Sequence, residues 1–137
     1  MEKTKISHIG IAVKDLTASK KLFGTLFKVE HFHEETVEDQ KVRIASFPVG
    51  ESVIELTEAT SEDSPIAKFI AKRGEGIHHV AFEVGDIASE LSRLSGEGFT
   101  LLSEEATKGA HDMLVAFLHP KSTNGVLVEL CQHEPSK

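Results

Sequence analysis

His8-Ile9-Gly10-Ile11-Ala12-Val13-Lys14-Asp15-Leu16 and His79-Val80-Ala81-Phe82-Glu83-Val84-Gly85-Asp86-Ile87 are the two stretches that decide the fold. They match at an offset of 71 residues (79 − 8), which pairs His8 with His79, Val13 with Val84 and Asp15 with Asp86. Apolar residues alternate in both, Ile9, Ile11 and Val13 in one and Val80, Phe82 and Val84 in the other. Period-2 alternation is the mark of a strand with one buried face. Each stretch has an Asp as its second-last residue, and an Asp side chain can satisfy the open N–H groups of a helix start. After Asp15, Leu16, Leu22, Phe23, Leu26 and Phe27 recur at helical spacing. After Asp86, Ile87, Leu91 and Leu94 do the same, with Gly96 and Gly98 placed to end the helix.

Strand-like runs follow each helix. Residues 42–47 and 52–57 flank Pro48-Val49-Gly50, and residues 113–118 and 125–131 flank His119-Pro120. The last runs also correspond, Ile54-Glu55-Leu56 with Val128-Glu129-Leu130, at an offset of 74 (129 − 55) that loop length absorbs. The chain therefore reads as a βαβββ unit written twice. Between the copies lies a further helix, with Ser64 as N-cap, Pro65 at the first turn, Ile66, Phe69 and Ile70 as its apolar stripe, Lys72 and Arg73 near its end and Gly74 after it. The expected architecture is α+β: two tandem βαβββ modules sharing one sheet surface. It is a single domain over residues 1–137, with modules at about 5–58 and 76–132 and the connecting helix at about 64–74. No stretch reads as a flexible linker.

Bulk properties narrow the function. The chain has 137 residues, 39% hydrophobic and 27% charged, ordinary values for a soluble globular protein. A formal net charge of -7 argues against nucleic acid or anionic membrane as partner. No apolar run approaches a membrane span, and the first residues lead straight into a strand, so no signal peptide is expected. The single Cys131 excludes an internal disulfide and fits a cytoplasmic protein. It reads as a small buried hydrophobe rather than a nucleophile.

Four polar residues stand out on the strands. His8 shares its face with Gly10 and Ala12, and His79 with Ala81; Glu55 and Glu129 each lie between two apolar neighbours. A lone His on a strand is more often a satisfied polar residue, and a lone Glu usually faces solvent. Recurrence of the same types at equivalent places in both copies changes that balance. Two imidazoles and two carboxylates make an N/O site for one divalent ion such as Zn, Co, Mn, Ni or Fe(II). His78 alternates to the opposite face and reads as packing, while His31 and His33 read as solvated surface.

Beyond these residues the chain resembles the vicinal oxygen chelate (glyoxalase/bleomycin resistance/dioxygenase) superfamily, and within it the methylmalonyl-CoA epimerases. The first stretch, from His8 to Leu16, is generic to the superfamily. Particular to the epimerases are the middle helix in Asp63-Ser64-Pro65-Ile66-Ala67-Lys68-Phe69, the run Gly74-Glu75-Gly76-Ile77-His78-His79-Val80-Ala81-Phe82, and the segment from Phe117 through His119-Pro120-Lys121-Ser122 to Leu130. The stretch from Phe47 to Leu56 carries the resemblance as well. The resemblance implies that the two modules form a curved mixed sheet around a metal-lined cup, and it places the metal ligands at His8, Glu55, His79 and Glu129. It implies an isomerase that interconverts (R)- and (S)-methylmalonyl-CoA by metal-assisted abstraction of the C2 proton through an enolate, with Glu129 as catalytic base. It also implies a CoA-thioester substrate, a place in propionate metabolism and a homodimer.

Some relatives carry a second glutamate where this chain has Ile44, which leaves Glu38, Glu55, His111 or water as the second proton carrier. Lys121 and Ser122 are the expected substrate-binding residues, and Lys68, Lys72 and Arg73 are further basic candidates for CoA. Glyoxalase I carries a similar quartet and is the first alternative. A metal-free ligand-sequestering module of the same fold is the second.

Overall fold

The computed structural model describes residues 4–133. Their contacts divide the chain into two compact units, one of residues 8–78 and the other of residues 79 onward together with the segment before His8. The first unit holds β1 (Lys5–Ala12) from His8 on, α1 (Leu16–Phe27), β2 (His33–Val37), β3 (Val42–Val49), β4 (Ser52–Ala59) and α2 (Pro65–Arg73). There β1 pairs parallel with β4, β4 antiparallel with β3, and β3 antiparallel with β2. β5 (Gly76–Glu83) runs into the second unit, which adds α3 (Ile87–Gly96), β6 (Thr107–Lys108), β7 (Met113–Leu118) and β8 (Val128–His133). The pairing repeats: β5 parallel with β8, β8 antiparallel with β7, β7 antiparallel with β6. The fold is α+β, and each unit is a βαβββ module.

The helix starts show how the repeat is enforced locally. Asp15 accepts from the backbone N–H of Ala18, and Asp86 from that of Ser89. The first helical N–H of each has a second acceptor from the last strand of its own unit. Leu16 donates to Glu58 Oε2 and Ile87 to Gln132 Oε1, both at 2.7 Å. Two of the open donors at each helix start are thus satisfied, one by the preceding residue and one by the sheet. α2 is punctuated as its sequence implies, with Ser64 accepting from Ile66 N, Pro65 first, and Gly74 at φ 79 after the last turn. Among the described residues no helix is long and apolar enough to cross a membrane.

Two of the buried clusters lie on the helix-facing side of the strands. In the first unit Val13, Leu16, Ala45 and Leu56 are buried together. In the second, Val84, Ile87, Leu91, Leu94, Ala116, Leu118 and Leu130 form the larger cluster. Along α1 the apolar spacing overstates burial. Leu16 is buried, but Leu22 and Leu26 are 61% and 65% exposed. Near the helix end, Phe27 and Phe32 both pack on the buried Phe47, at 5.3 and 5.5 Å between ring centroids.

Two strands are shorter or more polar than the sequence pattern picks out. β2 is His-Glu-Glu-Thr-Val and β6 has only two residues, so neither shows apolar alternation. Among the described residues of its unit β2 pairs with β3 alone, and charged side chains on such a strand discourage further pairing. His31 and His33 are exposed as expected, and His33 Nε2 lies 3.2 Å from Glu35 Oε1 within β2. His78 packs edge-to-face on Phe69 of α2 at 5.0 Å, and burial pushes its imidazole down to about 4.

Two predictions arise from this scaffold. Gly24 sits inside α1, where Ala is ordinarily the better helix former by about 1 kcal/mol. A Cβ there would lie 2.8 Å from the Val29 carbonyl oxygen, backbone that cannot swing aside. Gly24→Ala is therefore expected to destabilise by about 1–3 kcal/mol, the cost of overpacking. A higher urea midpoint in the variant would contradict this.

The second concerns Asp63, just before α2. Hydrogen bonds from Lys41 and then Ser61 hold its carboxyl down at about 2, from an ordinary 3.8. A folded value below the unfolded one means that the pair's contribution is present above pH 3.8 and is lost as pH falls towards 2. Carboxyl NMR titration should find the midpoint near 2, and Lys41→Met should return it towards 3.8. An unchanged midpoint in the variant would show that Lys41 is not the cause.

Candidate functional site

On β1 and β4 the side chains of one face are His8, Gly10 and Ala12, and Val53, Glu55 and Thr57. The register sets Gly10 beside Glu55. His8 is thus one strand repeat away from the residue opposite Glu55, diagonal to it. On β5 and β8 the register sets Ala81 beside Glu129, which leaves His79 in the same diagonal relation. The glycine and alanine between the polar residues are what let the diagonal close, since neither side chain fills the gap. His8 Nε2 lies 3.5 Å from Glu55 Oε1, and His79 Nε2 lies 3.4 Å from Glu129 Oε1.

All four side chains are buried, at 3–7% exposure. Carboxylates that deep are retained only where a positive group or a set of donors faces them. A direct charge-assisted N–H···O⁻ bond would bring the atoms to about 2.7–2.9 Å. Donors bound to a common ion at about 2.1 Å stand roughly 3.0–3.4 Å apart, depending on the angle. Each pair is at the wider spacing. The donor chemistry, imidazole nitrogen with carboxylate oxygen, fits a divalent transition metal.

The surroundings of the pairs differ. Phe117, the β7 partner of Glu129, meets the His79 ring edge-to-face at 5.8 Å. Ser46, the β3 partner of Glu55, is buried at the matching place in the first unit. Two residues beyond the carboxylates stand Thr57 and Cys131. Cys131 is fully buried with Ala81, Met113 and Val115, a small hydrophobe as its sequence context implies. Ile44 is buried on β3 opposite Thr57, so the position where some relatives have a glutamate is an apolar part of this face.

Other candidates fall in different places. Lys121 and Ser122 lie in a short turn after His119-Pro120. His119 Nδ1 accepts from the Lys121 N–H at 3.0 Å, and Ser122 Oγ accepts from Thr100 N at 2.9 Å. Ser122 thus ties two loops together, while the Lys121 side chain is exposed. Lys68, Lys72 and Arg73 are exposed on α2, with Arg73 6.0 Å from the Phe69 ring. Glu38 is exposed. His111 is half-buried, in a turn where it and Asp112 both have φ 57, an uncommon conformation for residues with side chains. Sequence reasoning passed over Phe117, Ser46 and Thr57, although period-2 parity with Glu129 and Glu55 and the strand register place them on the site face.

Residues 7–117 match the Glyoxalase/Bleomycin resistance protein/Dioxygenase superfamily. The chain belongs to this superfamily. Among curated proteins it is 38% identical to an ethylmalonyl-CoA/methylmalonyl-CoA epimerase of Cereibacter sphaeroides, over 93% of this chain and 97% of that one. An uncharacterized Bacillus subtilis protein, YqjC, is also 38% identical, over 93% of this chain and 91% of its own. A solved methylmalonyl-CoA epimerase in complex with methylmalonyl-CoA and ammonium superposes with a TM-score of 0.91 at 38% identity, covering 95% of this chain and 94% of that one. Similarity of this kind supports an isomerase of the epimerase type.

Proposed function

We propose that the protein is a methylmalonyl-CoA epimerase in which His8, Glu55, His79 and Glu129 together hold one divalent ion, the two units acting as a single domain. What carries the reading is the repeated His–Glu pair, with the same register, the same burial and nearly the same separation in each unit. Epimerases among the relatives, including one solved with methylmalonyl-CoA, supply the substrate.

The C2 hydrogen of methylmalonyl-CoA lies between a carboxylate and a thioester, and its removal puts charge on the flanking oxygens. A divalent ion, when bound, would stabilise that charge. Glu129 is the base for C2, since its carboxylate is buried beside His79 and shielded from bulk water. Ile44 cannot carry a proton. Glu55, the counterpart of Glu129 in the first unit, returns a proton from its carboxylic acid form, while Glu129 keeps the proton that it removed. Phe117 holds the His79 ring in place and keeps its surroundings dry. Lys121, exposed after His119-Pro120, is the cation we assign to the CoA phosphates, with Ser122 beside it. Cobalt, zinc, manganese and nickel all suit the donor set; by analogy with its family the protein is a homodimer, and its single cysteine suits the cytoplasm.

Exchange of the C2 hydrogen of methylmalonyl-CoA in deuterated water, before and after chelation and after restoring each ion, tests the reading. Exchange that is lost with chelator and restored by a divalent ion is the expected result. No exchange with any ion, together with turnover of the glutathione hemithioacetal of methylglyoxal, would replace it with a glyoxalase activity.

A further inference from the structure

Thr57 lies two residues beyond Glu55 on β4, so it shares that residue's face at a distance of about 6.6 Å along the strand. Its register partners are Ala12 on β1 and Ile44 on β3. The residue is 3% exposed, and its Oγ1 is buried with no hydrogen-bond partner among the described residues. A buried hydroxyl left without a partner opposes folding, and where one persists it calls for an explanation, such as a ligand or an ordered water.

The matching position in the second unit shows the alternative solution. There Cys131, two residues beyond Glu129, is fully buried among Ala81, Met113 and Val115, and its weakly polar thiol donates to the Phe82 carbonyl oxygen at 3.5 Å. The first unit keeps a hydroxyl of similar size against Ala12 and Ile44. Neither partner has a side-chain polar atom to offer it. Its position, one strand repeat from a metal-binding carboxylate, is within reach of the far end of a short ligand held at that carboxylate.

We propose that the Thr57 hydroxyl donates a hydrogen bond to the carboxylate of the bound substrate, positioning the acid end and selecting for it. This rests on the epimerase reading above. A hydroxyl suits the task because it can donate to an anion while adding no charge beside Glu55. A hydrogen bond to a charged acceptor is also among the stronger kinds. The cost of the unpartnered hydroxyl in the free protein is then the counterpart of selectivity, since a site built around a polar contact discriminates against ligands that cannot make it.

Thr57→Val keeps the shape and removes the hydroxyl, and Thr57→Ser keeps the hydroxyl. With the metal-loaded protein and methylmalonyl-CoA, Thr57→Val should lower kcat/KM by about 10–100-fold, chiefly through KM, the loss of one hydrogen bond to a charged group. Thr57→Ser should stay within about 3-fold of the parent, its smaller loss being one of packing. In metal-free, substrate-free protein, Thr57→Val should raise the melting temperature, because it removes an unpartnered polar atom from the interior.

Unchanged kcat/KM in Thr57→Val, equal damage in both variants, or a lower melting temperature in Thr57→Val would each overturn the assignment; the last would mean that the hydroxyl serves the fold. A parent protein that does not turn over methylmalonyl-CoA at all would overturn the epimerase reading and this inference with it. An active parent with an unaffected Thr57→Val variant removes only the inference.

Discussion

Glu129→Gln is expected to lower turnover of methylmalonyl-CoA by about 1,000-fold, within the range that a positioned general base contributes. The substitution preserves size and leaves an amide oxygen able to face a metal, but it removes the basic carboxylate. Its burial at 3% exposure, with His79 Nε2 3.4 Å away, leaves little route for solvent to substitute as base. His8→Ala makes a useful contrast. It leaves the base in place and removes an imidazole donor, so the loss should appear first as weaker metal retention and be partly reversed by added ion. Metal content by mass spectrometry and C2 hydrogen exchange on the same samples separate the two effects. A Glu129→Gln protein that retains metal and more than about a tenth of the parent rate would rule Glu129 out as the base, since a positioned base contributes at least 100-fold.

Leu130→Ala is expected to destabilise the protein by about 2–5 kcal/mol, the cost of truncating a buried leucine. Leu130 is 1% exposed and sits in the cluster that joins α3 to β7 and β8. A loss of that size is a large part of the roughly 5–15 kcal/mol that holds a domain folded. Leu22→Ala, on the exposed side of α1, should cost less than about 0.5 kcal/mol. Urea unfolding of both variants checks the pair. A loss at Leu22 as large as that at Leu130 would mean that its 61% exposure is covered in solution by a second copy. Light scattering at matched concentration would then show the dimer.

His8, Glu55, His79 and Glu129 stood out as candidates in the sequence because a duplicated chain repeats its chemistry at near-constant offsets, and two-residue periodicity fixes which face a strand residue takes. The same logic placed Asp15, Asp86 and Ser64 at helix starts, where short polar side chains satisfy open N–H groups. β2 escaped it. A polar five-residue strand owes its state to pairing with β3, a contact distant in sequence rather than a local preference. The exposure of Leu22 and Leu26 escaped it too, since helical spacing reports a shared face and not what covers it.

Within each pair, adjacency was a matter of register. Parallel pairing of β1 with β4 and of β5 with β8 brings residues 47 and 50 positions apart (55 − 8 and 129 − 79) to 3.5 and 3.4 Å. Register also set Ile44 against Thr57, and so exposed a hydroxyl whose lack of a partner no linear pattern records. The sequence by itself determined which residue types face the same way. Tertiary structure alone decided which of them touch, because contact across strands depends on pairing between segments that carry no mark of one another.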